Sequence, residues 1–201
     1  FDLKNLVLVG SPSSHGDIKL SLPDAYNTLA KQDNDVFLGG VTIAERHASK
    51  RNEHDRLLEK TEQGCKFFIS QAVYNAQATI DLITSYARSC KALGIAPKRI
   101  ILTFTPCGGE KTLDFMEWLG ISVPEATKWR MLDSANPLSE SVRICRENLD
   151  LILQSCAHLA VPLGLNIESL TNRKEEIDAS INLYRLLKAT MELNLAEKQI
   201  A

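Results

Sequence analysis

Hydrophobic positions along the chain fall into two patterns: short continuous apolar runs, and longer segments with an apolar residue every three or four positions. The short runs are typical of strands covered on both faces, and the longer segments are typical of helices that bury one side. Each run is followed by such a segment, five times in all. Strands are predicted at residues 5–10, 36–43, 67–74, 99–105 and 163–168.

Helices are predicted between these strands, together with one polar loop. They cover residues 22–31, 53–63, an amphipathic stretch ending at Gly94, 139–160 and 174–193, with short helical segments at 111–119 and 124–132. Residues 44–52, AERHASKRN, are predicted to form a loop after the second strand. In the last helix an apolar stripe is expected to face the core, formed by Ile177, Ile181, Tyr184, Leu187 and Met191.

The repeated strand–helix order has the pitch of βαβ units, whose right-handed crossovers produce a parallel sheet. Two arrangements of such a sheet are possible, an open doubly wound sheet or part of an eight-stranded barrel. No GxGxxG or P-loop pattern follows a strand, and polar residues lie after every strand, as in barrels. We therefore predict one α/β domain over residues 1–201 that supplies about five C-terminal βα units of a (β/α)8 TIM barrel. Three further units are expected before Phe1, which is not an initiator methionine.

Composition excludes several classes of function. The chain has 201 residues, 44% of them hydrophobic, with a net charge of −2. It lacks the basic stripe with interleaved aromatic residues that is typical of nucleic-acid binding, so no nucleic-acid partner is predicted. No apolar stretch is long enough to span a membrane. The five cysteines are scattered without a CxxC pair, which favours reduced thiols in a cytoplasmic protein. The four histidines lack metal-ligand spacing, so no metal site is predicted.

Gln71 is the first candidate site residue. It interrupts the apolar third strand near its C-terminal end, where the loops of parallel α/β folds hold ligands. A carboxamide donates and accepts hydrogen bonds, which suits the amide-like edge of a heterocycle. The alternative is that Gln71 only ties two strands together.

Other polar residues near strand ends have two interpretations each. Ser11 is either a turn former or a hydroxyl that faces a ligand, and His47 is either bonded to the backbone of its loop or in contact with a ligand. Glu53, Arg56 and Lys60 have helical spacing, so they form either a solvated salt-bridging face or a contact to ligand phosphates.

The last strand end contributes a further cluster. Asn166 and Glu168 share one side of the strand by the period-two rule. Arg173 either binds a ligand carboxylate with its planar fork or pairs with Glu176. No nucleophile–base pair is recognisable, so the residues themselves indicate a polar rim suited to a flat heteroaromatic ligand.

At these residues the sequence resembles the methylenetetrahydrofolate reductase family. The segment KTEQGCKFFISQAVYN (60–75) is similar to a family block in which a helix lysine and a glycine precede a strand ending in a folate-contacting glutamine. The segments NLVLVG (5–10), FMEWLGISVPEATKWRMLDS (115–134) and GLNIESLTNR (164–173) resemble further family regions, so the likeness covers nearly the whole chain.

The resemblance implies a flavin-linked (β/α)8 barrel that reduces 5,10-methylenetetrahydrofolate to 5-methyltetrahydrofolate, with FAD re-reduced by NADH or NADPH. On that match Gln71 faces the pterin, Lys60 and Arg56 meet cofactor phosphates, and Arg173 lies near the substrate. Glu168 is counted as a further substrate contact. The family's general acid, a glutamate on the first strand, is expected before Phe1, so no catalytic residue is assigned.

Three departures from the family distinguish this chain. Ser11 stands where the family has an aspartate close to the flavin ring, Leu132 where an aromatic is usual, and Arg56 where a smaller amide is usual. Ser11 and His47 remain candidate cofactor contacts. The departures favour a branch that handles flavin differently or uses direct hydride transfer from the nicotinamide. A folate-binding partner subunit without turnover and a methyltetrahydrofolate-dependent methyltransferase are the alternatives, and a homo-oligomer is left open.

Overall fold

Strands and helices alternate in the computed structural model, which describes residues 4–10, 20–31 and 36–200, with the backbone alone for residues 30 and 197–200. The strands are β1 (Asn5–Leu8), β2 (Phe37–Thr42), β3 (Phe67–Ala72), β4 (Arg99–Phe104) and β5 (Leu163–Ile167). The helices are α1 (Leu22–Ala30), α2 (Ala44–Lys50), α3 (Glu53–Glu62), α4 (Ala76–Leu93), α5 (Glu110–Trp118), α6 (Glu125–Leu132), α7 (Pro137–Ser155) and α8 (Lys174–Ile200).

Local signals fix the ends of the longer helices. The Asn75 side chain accepts the Ala78 N–H at the start of α4, and Asn136 accepts the Ser139 N–H at the start of α7. Helix α4 ends at Gly94, whose φ of 66° is the left-handed conformation that glycine adopts without a steric penalty. No described helix is both long enough and apolar enough to cross a bilayer.

The five strands form one parallel sheet in the order β1-β2-β3-β4-β5, which confirms the predicted α/β class and the parallel sheet. In a sheet of strictly sequential order, right-handed crossovers place every connecting helix on the same face. The described strands do not close on themselves, so the eight-stranded barrel stays a prediction.

The two faces of the sheet differ in burial, as that topology requires. Side chains facing the helices are buried, among them Leu38, Phe68, Ile100, Leu102 and Phe104. On the opposite face, which we call the uncovered face, a second apolar set is only partly buried, namely Val7, Phe37, Val41, Phe67, Ile69 and Ile101. Phe37 and Phe67 stack there, with ring centroids 5.4 Å apart.

The glycines of β2 allow close packing on both faces. The ring of Phe67 lies over Gly39, where an added Cβ would come within 2.4 Å of it. Gly40 faces the helices, and a Cβ there would meet Tyr26 at 3.1 Å and Lys60 at 3.3 Å. Side chains of α1 and α3 therefore reach the backbone of β2 near its C-terminal end.

Two predictions of local structure are wrong. The segment predicted as a loop forms helix α2 because AERHASK contains neither glycine nor proline and consists mostly of good helix formers. In α8 three of the predicted inward residues, Ile177, Ile181 and Tyr184, are 40–50% exposed, whereas Leu187, which was also predicted inward, and Leu183 are fully buried. The helix packs through the face that contains Ala179, Ser180, Leu183 and Leu187, all of them buried. The stripe that contains Ile177, Ile181 and Tyr184 lies outside the described core.

Candidate functional site

The C-terminal ends of the parallel strands bring several polar side chains to one edge of the sheet. Four of them lie at or just after the ends of β3, β4 and β5, and we call them the polar row: Gln71, Thr103, Asn166 and Glu168. Three of the four come from the segments that the sequence singled out.

A β-bulge sets the position of Gln71. Ile69 pairs with Ile101 and Ala72 pairs with Thr103, so two residues of β3 oppose one residue of β4. The Ser70 hydroxyl fills the gap, because it accepts the Thr103 N–H at 2.9 Å and donates to the Gln71 carbonyl at 2.8 Å. Bulges of this kind re-aim a side chain next to a site.

Of the two polar atoms in the Gln71 carboxamide, one is hydrogen-bonded and the other is not. Its Nε2 donates to the Leu119 carbonyl at 3.0 Å, at the end of α5. Its Oε1 is buried and accepts no hydrogen bond from the described residues. The alternative interpretation, in which Gln71 links two strands, does not describe this contact, because the side chain bonds to the segment after β4. An unsatisfied buried acceptor costs about 1–3 kcal/mol, which a donor from a ligand would offset.

The other end of the row is already hydrogen-bonded. Asn166 Nδ2 donates to Glu168 Oε1 at 2.7 Å and to Thr103 Oγ1 at 3.2 Å, so Asn166 and Glu168 lie on one side of the strand, as their spacing predicts. The Glu168 N–H extends the ladder to the Phe104 carbonyl at 3.0 Å. Glu168 itself is exposed.

Arg173 pairs with Glu176, one of the two alternatives that the sequence left open. Its Nη1 lies 3.8 Å from Glu176 Oε1, and its side chain is half-exposed. The Glu176 carboxylate is buried, accepts the Thr112 hydroxyl at 2.8 Å and lies against Gly108. This carboxylate fastens α8 to the start of α5 beside the polar row, a role that sequence spacing did not reveal.

A second polar zone lies at the ends of β1 and β2. Helices α1, α2 and α3 enclose a cleft of about 530 Å³ there. Its apolar walls include Leu8, Leu22, Val41 and Ile43. Its charged lining consists of Arg46, Arg56 and Lys60, and we call it the basic cleft.

Lys60 is the buried cation of this cleft, only 7% exposed, and its Nζ donates to the Val41 carbonyl. Burial lowers the pKa of Lys60, the Glu53 carboxylate opposes that shift, and the Arg56 and Arg46 guanidiniums lower the pKa further. The three cations are thus close enough to repel one another. Arg46 was missed because its segment was predicted to be a loop.

Glu53 holds helix α3 against β2. Its Oε1 accepts the Ile43 N–H at 3.0 Å and the Thr42 hydroxyl at 3.2 Å, and its Oε2 lies 3.4 Å from Arg56 Nε. A solvated face for Glu53, Arg56 and Lys60 is therefore the wrong interpretation, since only Arg56 is substantially exposed.

The remaining candidates are not brought into this zone by the described structure. His47 is buried in α2 and faces α4, where its Nε2 lies 3.1 Å from Ser85 Oγ and its ring meets His54 edge-to-face at 5.2 Å. Burial and the neighbouring His54 lower the pKa of His47. Its role as a cofactor contact stays a prediction. Ser11 lies outside the described residues.

Fold and site together define an α/β protein with a candidate ligand zone at the C-terminal edge of a parallel sheet. No protein-family model matches the chain, and no curated protein matches it. Among solved structures, a similar chain is described as an uncharacterized protein from Clostridium thermocellum that binds two copies of 5-methyl-5,6,7,8-tetrahydrofolic acid. The two chains share 39% sequence identity with a TM-score of 0.82 over 92% of this chain. This chain spans 63% of that neighbour's length.

Proposed function

We propose that this protein binds a reduced folate, 5-methyltetrahydrofolate or a close derivative, at the polar row. The observation that carries the proposal is the likeness, over 92% of the chain, to a protein that binds this ligand. The unpartnered Oε1 of Gln71 adds a local reason, because the pyrimidine ring of a reduced pterin presents N–H donors and a carbonyl acceptor along one edge.

The surroundings of the row suit a flat ring. Ile69 and Ile101, which pair across β3 and β4 next to the row, are only partly buried and offer an apolar surface. Asn166 and Glu168 supply an amide and a carboxylate at the far end. Because Oε1 of Gln71 is covered, this carboxamide must turn from the Leu119 carbonyl to meet a ligand, which exchanges one hydrogen bond for another.

The sheet is, on this proposal, part of an eight-stranded barrel. Strictly sequential strand order with the helices on one face is the arrangement that curls into a barrel. The apolar side chains of the uncovered face would then fill the interior, and the polar row would lie at the mouth where barrels bind ligands.

A second candidate is the reduction of 5,10-methylenetetrahydrofolate to 5-methyltetrahydrofolate. The observation in its favour is the basic cleft at the same edge, whose cations fit the phosphates of FAD or NAD(P)H. Arg46 and Arg56 are accessible for such a contact, whereas Lys60 already donates to the Val41 carbonyl. When bound, either cofactor supplies the hydride, and the residues of this chain contribute binding and orientation.

Titration calorimetry of the full-length protein with 5-methyltetrahydrofolate tests the binding proposal. We expect saturable binding, weakened by about 1–3 kcal/mol in Gln71→Leu because the pterin edge loses its partner. Gln77→Leu, on the exposed surface of α4, is the matched control and should bind as the wild type does. Absence of binding by the wild type would refute the proposal. Oxidation of NADH or NADPH that depends on methylenetetrahydrofolate would separate an enzyme from a binding subunit.

A further inference from the structure

The basic cleft contains a desolvated cation, Lys60, that forms no ion pair with a carboxylate among the described residues. Lys60 is more than nine-tenths buried, and its three ammonium N–H groups have one acceptor among the described residues, the Val41 carbonyl. Glu53, the nearby carboxylate, turns its oxygens to the backbone of β2 and to Arg56. Burying a charge without a matched partner is costly, so an anion in the cleft would be bound favourably.

The cleft also constrains the rest of the ligand. Its volume of about 530 Å³ lies in the range of sites that enclose a whole small molecule. The walls beside the cations are apolar and include Leu8, Leu22, Val41 and Ile43. A ligand that matches this lining combines negative charge, which faces the cations, with an apolar body that contacts the walls.

We propose that the basic cleft is a second reduced-folate site, in which Arg46, Arg56 and Lys60 bind the two carboxylates of the glutamate tail and the apolar walls contact the aminobenzoyl ring. The proposal rests on the folate binding proposed for the polar row. Two separate zones at one edge of the sheet match a neighbour that binds two copies of 5-methyltetrahydrofolic acid. A phosphate-bearing flavin shares the anionic and aromatic character, so the experiment must distinguish the two ligands.

The test is the stoichiometry of 5-methyltetrahydrofolate binding to the full-length protein by calorimetry. The wild type should bind two molecules per chain, one of them more weakly as salt is raised. Arg46→Gln/Arg56→Gln should retain one molecule and bind the second at least about tenfold more weakly, since charge-assisted bonds to its carboxylates are lost. Arg88→Gln/Arg146→Gln removes the same charge from exposed positions on α4 and α7 and should bind two.

A tail-free reduced pterin provides a second readout, because it should bind once and be unaffected by Arg46→Gln/Arg56→Gln. Two unchanged sites in that double variant would overturn the second-site proposal. The proposal would also be overturned if the wild type bound one molecule per chain and both Gln71→Leu and Arg46→Gln/Arg56→Gln weakened that binding. Such a result would indicate one folate that spans both zones. FAD binding that is lost in the cleft variant while two folates still bind would assign the cleft to flavin. No folate binding at all would refute the proposed function itself.

Discussion

The polar row and the basic cleft lie at the same edge of one sheet, but they are built differently. The row takes its side chains from strand ends, and its groups are mostly neutral and bonded to one another, as in the contacts of Asn166 with Thr103 and Glu168. The cleft takes its charges from helices α2 and α3, and two of the charged side chains of α3, Lys60 and Glu53, are hydrogen-bonded to the backbone at the end of β2.

The two zones therefore differ in the kind of group that each can recognise. Neutral donors and acceptors at fixed positions select the edge of a ring, and they tolerate burial once each has a hydrogen-bond partner. Clustered cations recognise charge, and their burial is favourable only when an anion arrives. A reduced folate has both kinds of group, a pterin edge and a dianionic tail.

The largest effect is expected from removing the carboxylate that holds the cleft together. Glu53→Ala leaves the Ile43 N–H without an acceptor and the buried Lys60 without its nearest compensating charge, so unfolding free energy should fall by about 3–5 kcal/mol. Urea unfolding followed by circular dichroism measures this loss. Glu53→Gln keeps an acceptor for the backbone and should lose less. Equal losses in the two variants would show that the negative charge of Glu53, and not its acceptor for the backbone, accounts for the whole effect.

A smaller effect is expected beside the polar row, where the Glu176 carboxylate links α8 to the start of α5. Thr112→Val removes the hydroxyl that donates to Glu176 Oε1 and leaves this oxygen with the half-exposed Arg173 alone. Stability should fall by about 1–3 kcal/mol, because a buried charged acceptor loses its donor. Thr112→Ser retains the hydroxyl and should lie closer to the wild type. Unchanged stability in Thr112→Val would mean that a water molecule replaces the hydroxyl as the donor to Glu176.

Most of the fold could be predicted because it follows from local periodicity. Strands β2 to β5 lie within two residues of their predicted bounds, and the parallel order follows from the repeated strand–helix alternation. The exposed stripe of α8 could not be predicted, because that helix has two apolar faces and periodicity does not tell which one another element covers. Helix α2 was missed since a polar composition alone does not distinguish a loop from a surface helix.

The candidate site could be predicted only in part for a similar reason. The position of Gln71 at a strand end is a local property, but its partner Leu119 is 48 residues away, and the bulge at Ser70 has no signal in sequence spacing. Lys60 was found by spacing, whereas its burial depends on how closely α3 approaches Gly40. Long-range contacts of this kind decide whether a charge is solvated.

The smallest effect on stability is expected from Lys60→Met. This variant tests most directly whether the basic cleft differs from the polar row in holding an uncompensated charge. This variant removes a buried charge and keeps an apolar stem of similar length, so the ligand-free protein should be unchanged or more stable by up to about 1 kcal/mol near neutral pH. Burial lowers the pKa of Lys60 in the folded protein. Between that lowered value and the ordinary lysine pKa of about 10.4, the unfolded chain therefore binds more protons than the folded one. The contribution of Lys60 to the free energy of unfolding of the wild type therefore rises with pH across that window. The stability difference in favour of Lys60→Met should shrink accordingly. Urea unfolding of both proteins from neutral pH to about pH 10 measures the trend, with the exposed Lys66→Met as the control. If Lys60→Met is less stable than the wild type by the same amount at every pH, the cation is a structural element satisfied by Val41 rather than a charge held ready for an anion.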